Sequence, residues 1–231
     1  MTTPPSAGLR ERKKQATRAV LREAALRLAV ERGPDQVRVE DIAEAAGVSP
    51  RTYNNYFASR EQAIVSAVTA DREARIAEAV AARPAGVRLA DAVTEAVVEQ
   101  YTDTGGHDPR ALLLITTRTA LRDAFLDSTA GIEIPLTAVI AERLGDTGVH
   151  TARVLAASVA AAVRIALESW LRPAGSAGSA GSAGNAEAAE AAGSLGAGGL
   201  VVPSGSLPDQ LRAALAPLAP AFDTAERGAQ P

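Results

Sequence analysis

The chain contains no cysteine, which removes disulfides, thiolate zinc sites and cysteine nucleophiles from consideration. Its two histidines, His107 and His150, are too few for a convincing metal site. Aromatic residues amount to only 3% of the sequence. No apolar run approaches the ~20 residues of a membrane span; the best candidate, 155–171, is interrupted by Arg164 and Glu168. The N-terminal MTTPPSAGLRERKK lacks the apolar centre that an export signal needs. Also missing are a Gly-rich phosphate loop, carboxylates paired in a recognisable frame and a Ser-His-Asp order. The expectation is a soluble cytoplasmic protein that is not an enzyme and carries no metal or cofactor.

What the chain does have is helix-forming residues. Hydrophobic residues make up 47% of the 231, enough for a sizeable core in one large domain or two small ones. Ala, Leu, Val and Arg dominate, which favours helix over sheet. The net charge of −3 conceals an asymmetry. Residues 1–60 hold 11 Lys+Arg against 7 Asp+Glu, or +4, and the remainder holds 13 against 20, or −7. A basic head on an acidic body fits local phosphate binding.

The segment Val39 to Phe57, VEDIAEAAGVSPRTYNNYF, is written as a helix-turn-helix. Gly47 supplies the positive φ that ends the first helix. Ser49 is placed to cap the second, and Pro50 stands at its first position, where a missing N–H costs nothing. Ile42, Ala45 and Ala46 form a small apolar face that lets two short helices cross closely. Arg51, Thr52, Asn54, Asn55 and Tyr56 are then presented outward as donors for phosphates and base edges. Tyr53 and Phe57 read as core.

Along the rest of the chain the 3.6-residue period predicts helices at 9–32, about 59–82, 87–103, 109–128, 132–144 and 147–171. Residues 1–8 are expected to be disordered, 9–60 to form the helix-turn-helix domain, and 61–172 a helical ligand-binding and dimerisation domain. The Ala-Gly-Ser triplets of 173–206 predict a flexible linker. Residues 207–222 contain a short amphipathic helix cut by Pro217 and Pro220, and 223–231 a frayed tail. The fold class is all-α.

The first 65 or so residues resemble the DNA-binding domain of the TetR family of bacterial transcriptional regulators. The resemblance rests on Ala24-Ala25, Leu28, Gly33, Val39, Ile42-Ala43, Ala46-Gly47-Val48-Ser49, Thr52, Tyr56-Phe57, Ser59 and Glu61. It implies a homodimer holding two three-helix heads over successive major grooves of a near-palindromic operator in double-stranded DNA, with a small-molecule effector and no membrane partner. It implies a cytoplasmic, nucleoid-associated repressor. The helix from about Pro50 to Tyr56 would enter the groove, with Arg51 and Asn55 at or near the bases and Thr52, Tyr56 and Arg60 on phosphates. Ser49 and Pro50 open that helix beside the DNA.

Three positions depart from the family pattern. Arg38 stands where Ser or Thr is usual, so the first helix of the pair loses a side-chain cap while a cation gains reach to a phosphate. Asn54 replaces a frequent aromatic, and Arg60 replaces a Lys. The basic run Arg10, Arg12, Lys13 and Lys14 is either a phosphate-contacting arm or a solvated tail. In the body, Arg118, Arg122 and Arg164 are candidates to pair with an acidic ligand; the plainer reading makes them surface residues or ion-pair partners of Asp123, Asp127 or Glu168. A DNA-architectural protein without an effector is the alternative function.

Overall fold

A computed structural model describes residues 5–69, 72–102, 109–145, 148–172 and 206–229, and every regular element among them is helical. The head comprises α1 (Pro5–Arg32), α2 (Val39–Ala45) and α3 (Pro50–Tyr53). The body follows as α4 (Arg60–Thr69), α5 (Arg72–Ala82), α6 (Leu89–Thr102), α7 (Pro109–Thr117), α8 (Thr119–Asp127), α9 (Glu133–Leu144), α10 (Val149–Trp170), α11 (Leu207–Leu215) and α12 (Ala219–Ala229). The fourth helix expected over 59–82 is described as α4 and α5; residues 70–71, the 173–205 stretch and His107 lie outside the described residues.

Helix α1 stops at Gly33, whose φ is 82°, and Pro34 opens a short turn buried against the head. Leu21, Ala24, Ala25, Leu28 and Ala29 form its inner face, spaced three and four apart. They meet Val37, Ile42, Ala43, Tyr53 and Phe57, all buried. Fully burying one such aliphatic side chain stabilises by about 1.5–3 kcal/mol, so a handful closes a three-helix head. The tyrosine and phenylalanine rings lie 5.7 Å apart, and Arg18 covers the phenylalanine face at 5.3 Å. Both rings are core residues, as expected.

Helix α4 joins head to body, packing on α1 on one side and α8 on the other. In the body, α10 is the central element, flanked by α9 and α11. By length and composition alone α10, and the stretch from Thr119 to Leu144, could cross a bilayer, which corrects the expectation that no run is long enough. In α10 the buried residues Leu155, Val159, Val163 and Leu167 recur every four residues toward the core, and Arg153, Arg164 and Glu168 interrupt the opposite side.

Four further boundaries differ from expectation. α1 begins at Pro5, inside the stretch expected to be disordered, with the proline at its first position, where a missing N–H costs nothing, and Gly8 carried within the first turn. The single helix expected over 109–128 breaks at Arg118, whose φ of −113° and ψ of 117° are extended. The hydroxyls of Thr116 and Thr117 both take the Leu113 carbonyl just before the break, a local bond that competes with the helix ladder. The second helix of the pair, expected to reach Tyr56, ends at Tyr53 and passes into turns. The tail expected to fray is α12, held by Asp223 against Arg88 at 2.7 Å and by Glu226, which accepts the Leu89 N–H at 3.1 Å. That N–H would otherwise be an orphan of the first turn of α6.

Candidate nucleic-acid interface

The two short helices are locked by local chemistry. Gly47 has φ 69°, and its N–H bonds the Glu44 carbonyl at 3.0 Å. Ser49 Oγ accepts the Thr52 N–H at 3.1 Å and shares a 2.9 Å hydrogen bond with the Thr52 hydroxyl. Pro50 occupies the first helical position. Past Tyr53 the chain tightens through Asn55 N–H to the Thr52 carbonyl and Tyr56 N–H to the Tyr53 carbonyl. The Tyr53 hydroxyl, buried, donates to the Ser59 carbonyl at 2.8 Å and ties the turn to the start of α4. Burial, with the Glu61 charge second, pushes that phenol up to about 12.

This scaffold leaves a polar row outside. Arg51, Asn54 and Asn55 are exposed, and none of their side chains has a hydrogen-bond or ion-pair partner among the described residues. Arg offers a two-pronged fork suited to guanine, and Asn an amide suited to adenine. Arg38 is exposed one helix away. An arginine has no acceptor to cap α2, and the cap is reversed: the Asp41 carboxylate accepts the Arg38 N–H at 2.9 Å. The departure at Arg38 therefore costs the helix little and frees a cation. Tyr56 is half-buried against the core, its position set by the turn. Ser49 and Thr52 use their hydroxyls on each other, so their bond to a phosphate would compete with the cap.

Arg60 is placed differently from the sequence reading. Its guanidinium donates to the Val37 carbonyl at 2.9 Å and the Asp35 carbonyl at 3.3 Å, and meets Glu61 at 2.6 Å. Those bonds, made through Nε and Nη1, stitch the start of α4 to the turn before α2, so the side chain positions the head. Both carbonyls are held by the one nitrogen Nη1, and the fork lets Nε meet Glu61 at the same time.

Arg10, Arg12, Lys13 and Lys14 are exposed on the first turns of α1, ahead of Leu21, its first buried residue. They form a helical arm that leaves the head core. The three body arginines do not converge. Arg164 pairs with Asp127 at 2.7 Å and Glu168 at 2.9 Å, as the plainer reading expected. Arg118 pairs with Asp35 of the head at 3.3 Å, and Arg122 is half-buried on α8. None lines the cleft of about 390 Å3 bounded by Arg18, Gln62, Thr69, Glu73, Ala124 and Ser128. The sequence reading passed over Arg72, whose guanidinium lies 4.5 Å from the Tyr101 ring centre and 5.7 Å from that of Phe125. No local pattern marks it, because the rings arrive from α6 and α8.

Residues 21–67 match the family model described as bacterial regulatory proteins, tetR family. The stretch is bounded by Leu21, the first core residue of α1, and lies mostly within the locked head. Over 85 residues the chain is 44% identical to the HTH-type transcriptional regulator TcmR of Streptomyces glaucescens. That alignment spans 37% of this chain and 37% of the relative.

Proposed function

We propose that this chain, whose head matches the family of bacterial regulatory proteins, tetR family, over residues 21–67, is an effector-controlled repressor working as a homodimer on a near-palindromic operator. The observation that carries the reading is the row of exposed, unpartnered Arg51, Asn54 and Asn55 on a turn-locked second helix, with Arg38 beside it. Arg51 and Asn55 read bases; Arg38 and the α1 arm hold phosphates. Tyr56 and Thr52 lie at the edge of the same surface.

Dimerisation follows from α10. Val154 and Ile165 are 53% and 59% exposed, and with Ser158 and Ala161 they fall at intervals of four, three and four along one face. Such a face on a core helix wants a partner, and a second copy supplies one of matching shape. On α11, packed alongside, Ala213 is exposed as well. Two heads then meet half-sites about 34–36 Å apart. A small hydrophobic or amphipathic effector bound in the body shifts α8, on which α4 packs, and so changes the separation of the heads. The protein acts on the DNA of the cytoplasm.

The experiment is a gel shift on DNA flanking the gene, with and without cell extract, paired with sedimentation of the complex. Sequence-specific binding by two chains, released by an extract component, supports the repressor. Salt-sensitive binding without sequence preference would instead support a DNA-architectural protein.

A further inference from the structure

Which side chains of the second short helix can reach a base edge is decided by what their neighbours already hold. The Thr52 hydroxyl shares a 2.9 Å hydrogen bond with Ser49. Tyr53 is buried, and its hydroxyl donates to the Ser59 carbonyl at 2.8 Å. Tyr56 is half-buried against the core. Arg51, Asn54 and Asn55 are left, all exposed and all without a side-chain partner among the described residues.

These three share one side of the head. Asn54 ends α3 at φ −61° and ψ −14°, still in the helical region, and its N–H bonds the Pro50 carbonyl at 3.1 Å. The helical course therefore carries through it. At 3.6 residues per turn, Asn54 lies about 60° to one side of Arg51. Asn55 follows a tightened step, its N–H on the Thr52 carbonyl at 3.1 Å, and lies about 40–60° to the other side. Three or four residues of helix advance about 4.5–6 Å, against about 3.4 Å per base pair. Each amide thus stands about one to two base pairs from the guanidinium.

The amide narrows the choice of base. An asparagine side chain donates through its nitrogen and accepts through its oxygen. In the major groove adenine alone presents an acceptor, N7, beside a donor, the N6 amine; guanine presents two acceptors, and cytosine a donor only. We infer that Asn54 is a specificity-determining residue, its amide paired with an adenine within about two base pairs of the guanine taken by Arg51. The inference rests on the reading of the chain as an operator-binding regulator and adds to it a base that each half-site must present. Asn55, flanking Arg51 on the other side, takes a second adenine by the same chemistry.

The test starts from duplexes selected out of a random pool by the full chain, whose preferred bases define the half-site. Each adenine in it is then replaced by 7-deazaadenine, which keeps its pairing and its N6 amine but has no N7 acceptor. One replacement is expected to weaken wild-type binding about tenfold, which is about 1.4 kcal/mol, by removing the acceptor that Asn54 uses. Asn54→Ala is expected to bind the unmodified half-site about tenfold less well and to lose no more than about twofold on that replacement, while its Tm stays at the wild-type value. Asn54→Asp, an acceptor only, is expected to move the preference at that position from adenine to cytosine. A half-site with no adenine within about two base pairs of a guanine overturns the inference. So does an Asn54→Ala variant that loses as much as the wild type on every replacement, or one weakened alike on all sequences, the mark of a phosphate contact. Should Asn54→Ala fail to fold, retention of the adenine preference in Asn54→Asp overturns it. Selection of no preferred sequence at all sinks the operator reading and the inference together, whereas a preferred sequence that fails the adenine test leaves the operator reading standing.

Discussion

Arg118, the residue at which α7 ends and α8 begins, holds its guanidinium 3.3 Å from the Asp35 carboxylate of the head. The pair crosses the same junction that Arg60 crosses from below, where it holds the Asp35 and Val37 carbonyls. The turn between α1 and α2 is thus gripped twice, once by a side chain on its backbone and once by a side chain on its carboxylate. The two grips differ in strength.

The Arg118–Asp35 pair is 52% and 64% exposed, which caps its contribution at about 0–1 kcal/mol. Arg118→Gln is expected to leave urea unfolding within about 1 kcal/mol of the wild type and to leave release of the operator by cell extract unchanged. A loss of ligand affinity in this variant would return Arg118 to the ligand role that the sequence allowed it.

Arg60 and Arg51 should separate cleanly. Arg60→Ala removes bonds to two carbonyls and is expected to destabilise the head by about 1–3 kcal/mol, lowering Tm and weakening all DNA sequences alike. Arg51→Ala touches nothing inside the protein, so Tm should hold. Its operator preference should fall by about 1–3 kcal/mol at one base position while non-specific binding changes little. A Tm loss from Arg51→Ala, or none from Arg60→Ala, would contradict these assignments.

The head was legible because its signals are local. Gly47, Ser49 and Pro50 act within a few residues of themselves, so a reader of the chain sees both the residue and its consequence. The break at Arg118 carries no glycine or proline, and only the arrival of Asp35 and two threonine hydroxyls explains it. The helix α12 is short and contains a glycine, and it is held by pairs separated by more than a hundred residues, Arg88 with Asp223 and Leu89 with Glu226. The structural bonds of Arg60 were hidden because its carbonyl partners lie in another segment. Arg72 was invisible for the same reason, since its surroundings come from three helices.

Alkaline pH should unfold the protein in a defined window. Tyr53 and Tyr101 are both raised from 10.0 to about 12, chiefly by burial. A raised phenol favours the folded state below pH 10, where neither form is ionised. Between pH 10 and 12 the unfolded chain releases protons that the folded chain keeps, so stability falls as pH rises. Absorbance at the tyrosinate band should show two of the three tyrosines ionising in step with loss of helical circular dichroism. Full ionisation of all three with the helix signal intact would mean that neither ring is as enclosed as its position indicates.

Gly47 gives the sharpest test of the turn itself. At φ 69° it occupies the left-handed region, and a Cβ added there meets nothing within 4 Å. The cost of Gly47→Ala is therefore backbone strain alone, about 1–2 kcal/mol, with no clash to relieve. Since α2 and α3 are seven and four residues long, neither can absorb a rotated junction by itself. The variant should stay folded, because the α1 face and the Tyr53–Phe57 pair remain, yet lose specific DNA binding as Arg51 and Asn55 turn away from the groove. Gly86 serves as the control, for it too has open space around its Cα but does not have a positive φ, so Gly86→Ala should leave both stability and DNA binding near wild type. Equal behaviour of the two alanine variants in thermal unfolding and gel shift would show that the turn is not held by its left-handed residue.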